Sequence, residues 1–229
     1  MRPAWVTRGI AQLIRQFCSG GGNAAWIGVG SDQPLRGRQA MPGSGPMRDG
    51  GRIELMANMP LSEGLVWLSN SGADDPELWL SPTKKGYRDA FDRFSRRYLG
   101  ATGLDTANVQ IDHVFPKKAG VMGGLAYVRM LAIPPESNMA AGRTLERAMV
   151  ARNEDLGPRG KATRMATYFA VGKAAGFVGY EQMPDDEASQ PNSDLASALM
   201  THLRGFGLPA DVLTALDQRL TAGRLESFR

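Results

Sequence analysis

Apolar residues recur at helical spacing near the start of the chain, at Val6, Ile10, Leu13, Ile14 and Phe17. This pattern predicts an amphipathic helix that packs on a core and ends at the glycines after it. Residues 19–51 are rich in glycine, proline and serine and show little periodicity, so they predict a long loop or arm. We therefore expect residues 1–50 to form an N-terminal helix and arm, with a domain boundary near Gly50.

Residues 51–182 alternate short apolar runs with one strongly amphipathic stretch, and we expect them to form the core. Arg52–Asn58 and Leu65–Leu68 are predicted strands separated by a turn. The clearest helix is predicted to begin after an N-cap at Ser81 and to end at Gly100, because its aromatic residues fall on one face. Such a helix would cover one side of the core.

Two more strands and a helix are predicted next, in the order strand, loop, strand, helix. Their bounds are 109–114, 125–131 and, for the helix, Ser137 to about Asn153. Helical patterns then dominate, over 161–175, 194–204 and 209–222. The sequence therefore predicts an α+β fold that is mainly helical, with a short antiparallel two-stranded ββα motif at 108–153 and a C-terminal helical segment at 183–229.

The chain has 229 residues, enough to bury a sizeable core, and its net charge is +4 with a pI near 9.4. This basic balance permits an anionic partner without requiring one. A single cysteine, Cys18, excludes an internal disulfide and a zinc site with several thiolates. Polar residues interrupt the first helical stretch, so we expect no signal peptide, no membrane partner and a cytoplasmic location.

Chemistry-bearing residues gather where a predicted strand gives way to a loop. Asp112 and His113 are adjacent, Pro116 follows, and Asn138 opens the next predicted helix. Hydrolysis of a phosphodiester needs a base for water and a divalent cation for the developing charge, and one histidine with two oxygen ligands supplies both. Because carboxylate and amide oxygens suit hard cations, the expected ion is Mg²⁺, or another divalent cation such as Mn²⁺.

These residues resemble the His-Me-finger motif of HNH endonucleases, with the spacing of phage recombination enzymes of the endonuclease VII type. The resemblance is carried by three segments: Asp112-His113-x-x-Pro116, Tyr127–Leu131 and Ser137–Gly142. It implies that His113 is the general base and that Asp112 and Asn138 bind the metal ion. It also implies that the motif lies on two strands packed against one helix.

This chain departs from the family in two respects. The cysteines that often bind a stapling zinc ion are absent, and Ala141 stands where a second acidic residue is expected. Glu146, further along the same predicted helix, is the candidate replacement. The candidate metal ligands are therefore Asp112, Asn138 and Glu146.

Basic residues crowd the predicted motif, and the candidate substrate-binding residues are Lys117, Lys118, Arg129, Arg143 and Arg147. Such residues suit a phosphate backbone, because the release of counter-ions drives binding that is independent of sequence. The prediction is a metal-dependent endonuclease of low sequence specificity that acts on DNA more readily than on RNA. If such an enzyme were delivered between cells as a toxin, a protein inhibitor or immunity partner would accompany it.

Two alternatives stay open. In the first, the protein is a non-catalytic nucleic-acid-binding or assembly protein. In the second, Asp112 caps a turn, His113 fills a half-buried gap and Asn138 is an ordinary residue at a helix start. His202 lies in a predicted amphipathic helix, and we expect it to be structural. The nuclease prediction requires His113 and Asn138 to lie within reach of one metal ion, in a cleft lined by lysine and arginine.

Overall fold

An antiparallel sheet that curves into a half-barrel, flanked by helices, forms the described part of the fold. The computed structural model describes residues 2–18, 25–36, 50–105, 107–143, 146, 150, 163–166, 168–179, 193–206 and 208–221. The elements in chain order are α1 (Ala4–Cys18), β1 (Trp26–Val29), β2 (Gly51–Glu54), β3 (Gly64–Ser69), β4 (Glu77–Leu80), α2 (Tyr87–Phe94), β5 (Gln110–His113), α3 (Lys117–Met122), β6 (Tyr127–Ile133), α4 (Pro135–Arg143), β7 (Thr163–Met165), α5 (Tyr168–Ala175), α6 (Ser193–Phe206) and α7 (Ala210–Thr221).

The central strand of the sheet is β6. Within the described residues the strand order is β2-β3-β4-β6-β1-β7, and neighbouring strands are antiparallel. Val128 on β6 lies opposite Gly28 of β1 on one side and Leu80 of β4 on the other. The second half of β6 pairs with β5, where Met130 lies opposite His113. One strand therefore joins the long sheet to the segment that carries the candidate chemistry.

The prediction of a mainly helical fold with a two-stranded motif was wrong, because β5 and β6 belong to this larger sheet. β1 lies in the segment predicted to be a loop or arm, yet it sits between β6 and β7. All four residues of β1 are buried, and so are all four of β4. Short strands that are buried on both faces lack the polar alternation by which a half-buried strand is recognised in a sequence.

Helix boundaries agree with the prediction in some places and differ in others. α2 begins at Tyr87 rather than just after Ser81, but its π-helical extension does end at Gly100, whose φ is 71°. α3 lies in a predicted loop, and β7 lies in the stretch predicted to be helical over 161–175. The last two helices are confirmed to within two residues. None of the described helices is long and apolar enough to cross a membrane.

The main core lies where α1 packs on the sheet and on the C-terminal helices. α1 buries the side chains that its spacing predicted: Val6, Ile10, Leu13, Ile14 and Phe17. It contacts β6, α5 and α7, which come from three separate parts of the chain. The predicted division near Gly50 is therefore crossed by a shared core.

A smaller core is built from the indole and phenol rings of Trp26, Trp67, Trp79 and Tyr127. Gly51 on β2 lies so close to it that an added Cβ would stand 1.9 Å from Trp67 Nε1. Only glycine fits at this position without a shift of the indole ring.

A buried ion pair ties α1 to the middle of the sheet. Arg129 on β6 lies 3.2 Å from Glu77 on β4, and each side chain is only 2% exposed. Gln12 and Gln16 on α1 both donate to Glu77 Oε1 at 3.1 Å, and Arg129 Nη1 donates to Gln16 Oε1 at 2.7 Å. The Trp79 indole donates to the second carboxylate oxygen at 3.0 Å. Arg129 was predicted to bind substrate, but its side chain is enclosed and engaged in this network.

We predict that Arg129→Met lowers the free energy of unfolding by about 3 to 5 kcal/mol, because it leaves the Glu77 carboxylate buried without its counter-charge. The measurement is urea unfolding followed by tryptophan fluorescence. Arg8→Met is the control. Arg8 is half exposed and pairs with Asp75 at the surface, so its loss costs less than about 1 kcal/mol. Equal losses for the two variants would contradict the structural importance of the buried pair.

Candidate functional site

The two faces of β5 separate the residues predicted to act together. Successive side chains of a strand point to opposite sides, so Gln110 and Asp112 share one face, while Ile111 and His113 share the other. The first pair is half-buried and the second pair is buried. Asp112 and His113, although adjacent in the chain, therefore face different surroundings.

On the first face, the Asp112 carboxylate binds the ammonium group of Lys173, which projects from α5. Lys173 Nζ lies 2.6 Å from Asp112 Oδ2 and also contacts Glu146 Oε1. The lysine side chain is 3% exposed, whereas those of Asp112 and Glu146 are 19% and 25% exposed. We call these three residues the Lys173 cluster. It places one buried cation between two partly accessible carboxylates.

Asn138 belongs to the same side of β5 as the Lys173 cluster. Its Nδ2 donates to Gln110 Oε1 at 2.6 Å, and Gln110 shares its face with Asp112. The preceding residue, Ser137, is buried and donates to the Lys173 carbonyl oxygen at 2.7 Å. The start of α4 thus connects β5 to α5. The three predicted metal ligands, Asp112, Asn138 and Glu146, are gathered on one side of the strand.

His113 lies on the opposite face, against the start of α2. Its ring meets the Tyr87 ring edge to face, with centroids 5.0 Å apart. The side chain is buried, and its Nε2 atom has no hydrogen-bond partner among the described residues. Burial, reinforced by the positive charges of Lys117 and Lys173, lowers the pKa of His113 to about 4. His113 is therefore a weak base, neutral at pH 7, whose ring is enclosed on the face of β5 away from Asp112.

The pKa values of Asp112 and Lys173 both lie above their ordinary values. Burial raises the pKa of Asp112 to about 6, and the Lys173 charge opposes that rise. Burial by itself would lower the pKa of Lys173, but the two carboxylates outweigh it and raise the pKa above its ordinary value. Asp112 and Lys173 therefore form mainly an ion pair at neutral pH.

These residues do not fit a Mg²⁺ centre with an activated water. The ammonium group of Lys173 lies where a divalent cation would have to bridge Asp112 and Glu146. The predicted base, His113, is on the far side of β5, where its ring packs against Tyr87. The structure brings the predicted ligands together but supplies their counter-charge from within the chain.

The basic residues predicted to bind substrate differ in their exposure to solvent. Lys117 and Lys118 are exposed at the start of α3, whereas Arg129 is buried. The side chain of Arg143 and the whole of Arg147 lie outside the residues that the structure describes. His202, predicted to be structural, is hydrogen-bonded through Nε2 to the carbonyl oxygen of Ala175, the last residue of α5.

A second set of exposed cations, not assigned from the sequence, lies near Lys117. Lys85 and Arg88 are exposed at the start of α2, the helix whose Tyr87 contacts His113. The segment before α2 packs on α3, since an added Cβ at Gly120 would stand 3.5 Å from Pro82 Cβ. We define the basic surface as Lys85, Arg88, Lys117 and Lys118. The charge pattern of the 82–99 segment was visible in the sequence, but its proximity to α3 was not.

Comparisons with family models, with characterised proteins and with solved structures found no match to this chain.

The two faces of β5 predict opposite pH dependences. The folded state disfavours protonated His113, so this residue lowers stability as the pH falls from about 6.5 toward 4. The folded state favours protonated Asp112, so this residue lowers stability as the pH rises from about 4 to about 6. In the wild type the two contributions largely cancel across this window.

We predict that His113→Gln gains stability relative to wild type on going from pH 6.5 to pH 4.5, by on the order of 2 kcal/mol. Asp112→Asn shifts in the opposite direction by a similar amount. The measurement is urea unfolding of the three proteins at both pH values. The contributions of the other carboxylates to the pH dependence are the same in all three proteins and cancel in the comparison. Parallel pH dependences in all three proteins would show that neither group has the shifted pKa.

Proposed function

We propose that this protein binds nucleic acid through the basic surface and does not cleave it by the His113 mechanism. The observation that carries the proposal is that four exposed cations, Lys85, Arg88, Lys117 and Lys118, lie at or just before the starts of α2 and α3. Both helix starts lie near His113, whose ring contacts Tyr87 and whose pKa the Lys117 charge lowers. Cations arranged on one surface attract a phosphate backbone and release its counter-ions. This partner class agrees with the net charge of +4.

The acid paired with Arg88 neutralises this cation only weakly. Asp105 is 99% exposed and lies 3.6 Å from Arg88, an ion pair that competes poorly with water or with a phosphate. Asp89 is exposed on α2 beside Arg88. A phosphate group can therefore bind Arg88 without breaking a buried ion pair.

Metal-dependent cleavage of DNA, and less readily of RNA, is the competing proposal, made from the motif at 112–142. Two observations count against it: the Lys173 ammonium group between the two carboxylates, and the burial of His113 on the other face. Its support is the grouping of Asp112, Asn138 and Glu146. A nuclease built on that grouping needs a base other than His113.

Binding is tested by fluorescence anisotropy with a labelled 25-base-pair DNA duplex and with single-stranded DNA and RNA over a series of salt concentrations. If all four cations contact phosphates, the logarithm of the association constant for the duplex should fall against the logarithm of the salt concentration with a slope of about −4. Lys117→Gln with Lys118→Gln should weaken binding by on the order of 10- to 60-fold at 0.1 M salt and make the slope shallower by about 2.

The matched control is Arg8→Gln with Arg15→Gln, which makes the same change in net charge at cations already paired with Asp75 and Asp74. It should bind within about threefold of wild type, because it lies outside the basic surface. Loss of affinity by the same factor in both double variants would mean that only net charge matters. Absence of binding by the wild type at 0.05 M salt would overturn the proposal.

Cleavage is tested on the same samples by nicking of supercoiled plasmid with Mg²⁺, Mn²⁺ or EDTA. We expect no metal-dependent nicking by wild type and none by His113→Ala. Nicking that EDTA abolishes, and that Asp112→Asn also abolishes in a folded protein, would establish the competing nuclease. Equal traces of nicking in wild type and Asp112→Asn would identify a contaminating enzyme.

A further inference from the structure

We propose that Lys173 is a built-in cation that replaces a divalent metal ion at the junction of β5, α4 and α5. In this proposal the Asp112 and Glu146 carboxylates form a cation site that the chain fills itself. Removal of the lysine side chain would convert the pair into a site for a divalent cation. The inference is independent of the proposed function, because it concerns the other face of β5.

The ammonium group of Lys173 contacts both carboxylates of the cluster. Lys173 Nζ lies 2.6 Å from Asp112 Oδ2 and contacts Glu146 Oε1, so one cation is shared by carboxylates from two separate parts of the chain. Two carboxylates brought this close would repel each other without a positive charge between them. Oxygen ligands from separate elements around one central positive charge are the arrangement that hard metal ions also adopt.

The packing of α5 fixes the position of the Lys173 backbone. Ser137 Oγ donates to the Lys173 carbonyl oxygen, which fixes α5 against the start of α4. Ala170, Val171 and Ala174 of the same helix are buried in the main core. With the helix held on both sides, the four-carbon side chain of Lys173 delivers its charge to Asp112 rather than to solvent.

The two carboxylates of the Lys173 cluster are partly accessible. Asp112 and Glu146 are 19% and 25% exposed, so an ion from solution can reach them once the lysine no longer covers them. Asn138 lies on the same side of β5; its amide nitrogen donates to Gln110 Oε1, and its amide oxygen is a further oxygen ligand in the neighbourhood. Mg²⁺ and Mn²⁺ keep several water ligands and need few from the protein, so two carboxylates are a sufficient anchor.

The test is Lys173→Met, which keeps an unbranched side chain one heavy atom shorter than that of lysine and removes its charge. In EDTA its Tm should lie roughly 6 to 20 °C below that of wild type, since two carboxylates lose their counter-charge. About 10 mM Mn²⁺ should restore at least half of that loss. Mn²⁺ should leave the wild-type Tm unchanged, and binding of one Mn²⁺ per chain should be detected by calorimetry in the variant only.

Two control variants separate charge from packing. Lys173→Arg keeps the cation and should show no response to Mn²⁺. The triple variant Lys173→Met, Asp112→Asn, Glu146→Gln has no charge left in the cluster, so it should be more stable in EDTA than Lys173→Met and should not respond to Mn²⁺. If Lys173→Met does not fold in EDTA, the proposal requires that it refold with Mn²⁺, and failure to refold while the triple variant folds would overturn it.

Three other results would also overturn the proposal. The first is a wild-type Tm that rises when Mn²⁺ is added, together with loss of this rise in Asp112→Asn. A metal ion would then displace Lys173 in the native protein. The second is a Lys173→Met variant as stable in EDTA as wild type. The third is a folded but destabilised Lys173→Met variant that neither binds Mn²⁺ nor is stabilised by it.

Discussion

The Arg129–Glu77 ion pair is the interaction on which the rest of the structure depends. It joins the central strand β6 to β4, and the two glutamines of α1 complete it from above the sheet. Each buried charge is tolerable only because the other charge and several hydrogen-bond donors surround it. The position of α1 therefore depends on the hydrogen bonds of its two glutamines as well as on the packing of its apolar face. Through α1 the same network positions the C-terminal helices, since α5 and α7 pack against it.

A second constraint, the alternation of side chains along β5, decides the character of the candidate site. It directs Asp112 toward the α4 and α5 side and His113 toward α2. A strand of four residues that is paired with β6 to its last position has no bend that would bring the two side chains to one point. Each face consequently has its own chemistry, a charged cluster on one side and a neutral buried ring on the other.

Positive charge is used in two ways in this protein. Lys173 and Arg129 are enclosed: Arg129 pairs with Glu77, and Lys173 pairs with Asp112 and Glu146. Lys85, Arg88, Lys117 and Lys118 are exposed at the surface. Net charge alone does not distinguish these groups, although only the second can meet an anionic partner. This division accounts for the failure of Arg129 as a predicted contact and for the inclusion of Lys85 and Arg88 in the basic surface.

The sequence by itself determined the elements whose signal is local. The apolar stripe of α1, the end of the second helix at Gly100 and the last two helices follow from periodicity and glycine, which depend on neighbours a few residues apart. The motif also named Asp112, Asn138 and Glu146 as metal ligands; the structure places them on one side of β5, and metal binding by them stays a prediction. Only the tertiary structure decided that β1 and β4 are strands of a large sheet, that His113 is turned away, and that Lys173 joins the carboxylates. Those facts depend on residues up to 139 positions apart, as for Trp26 and Met165, and pairing over such distances leaves no periodic trace in a single sequence.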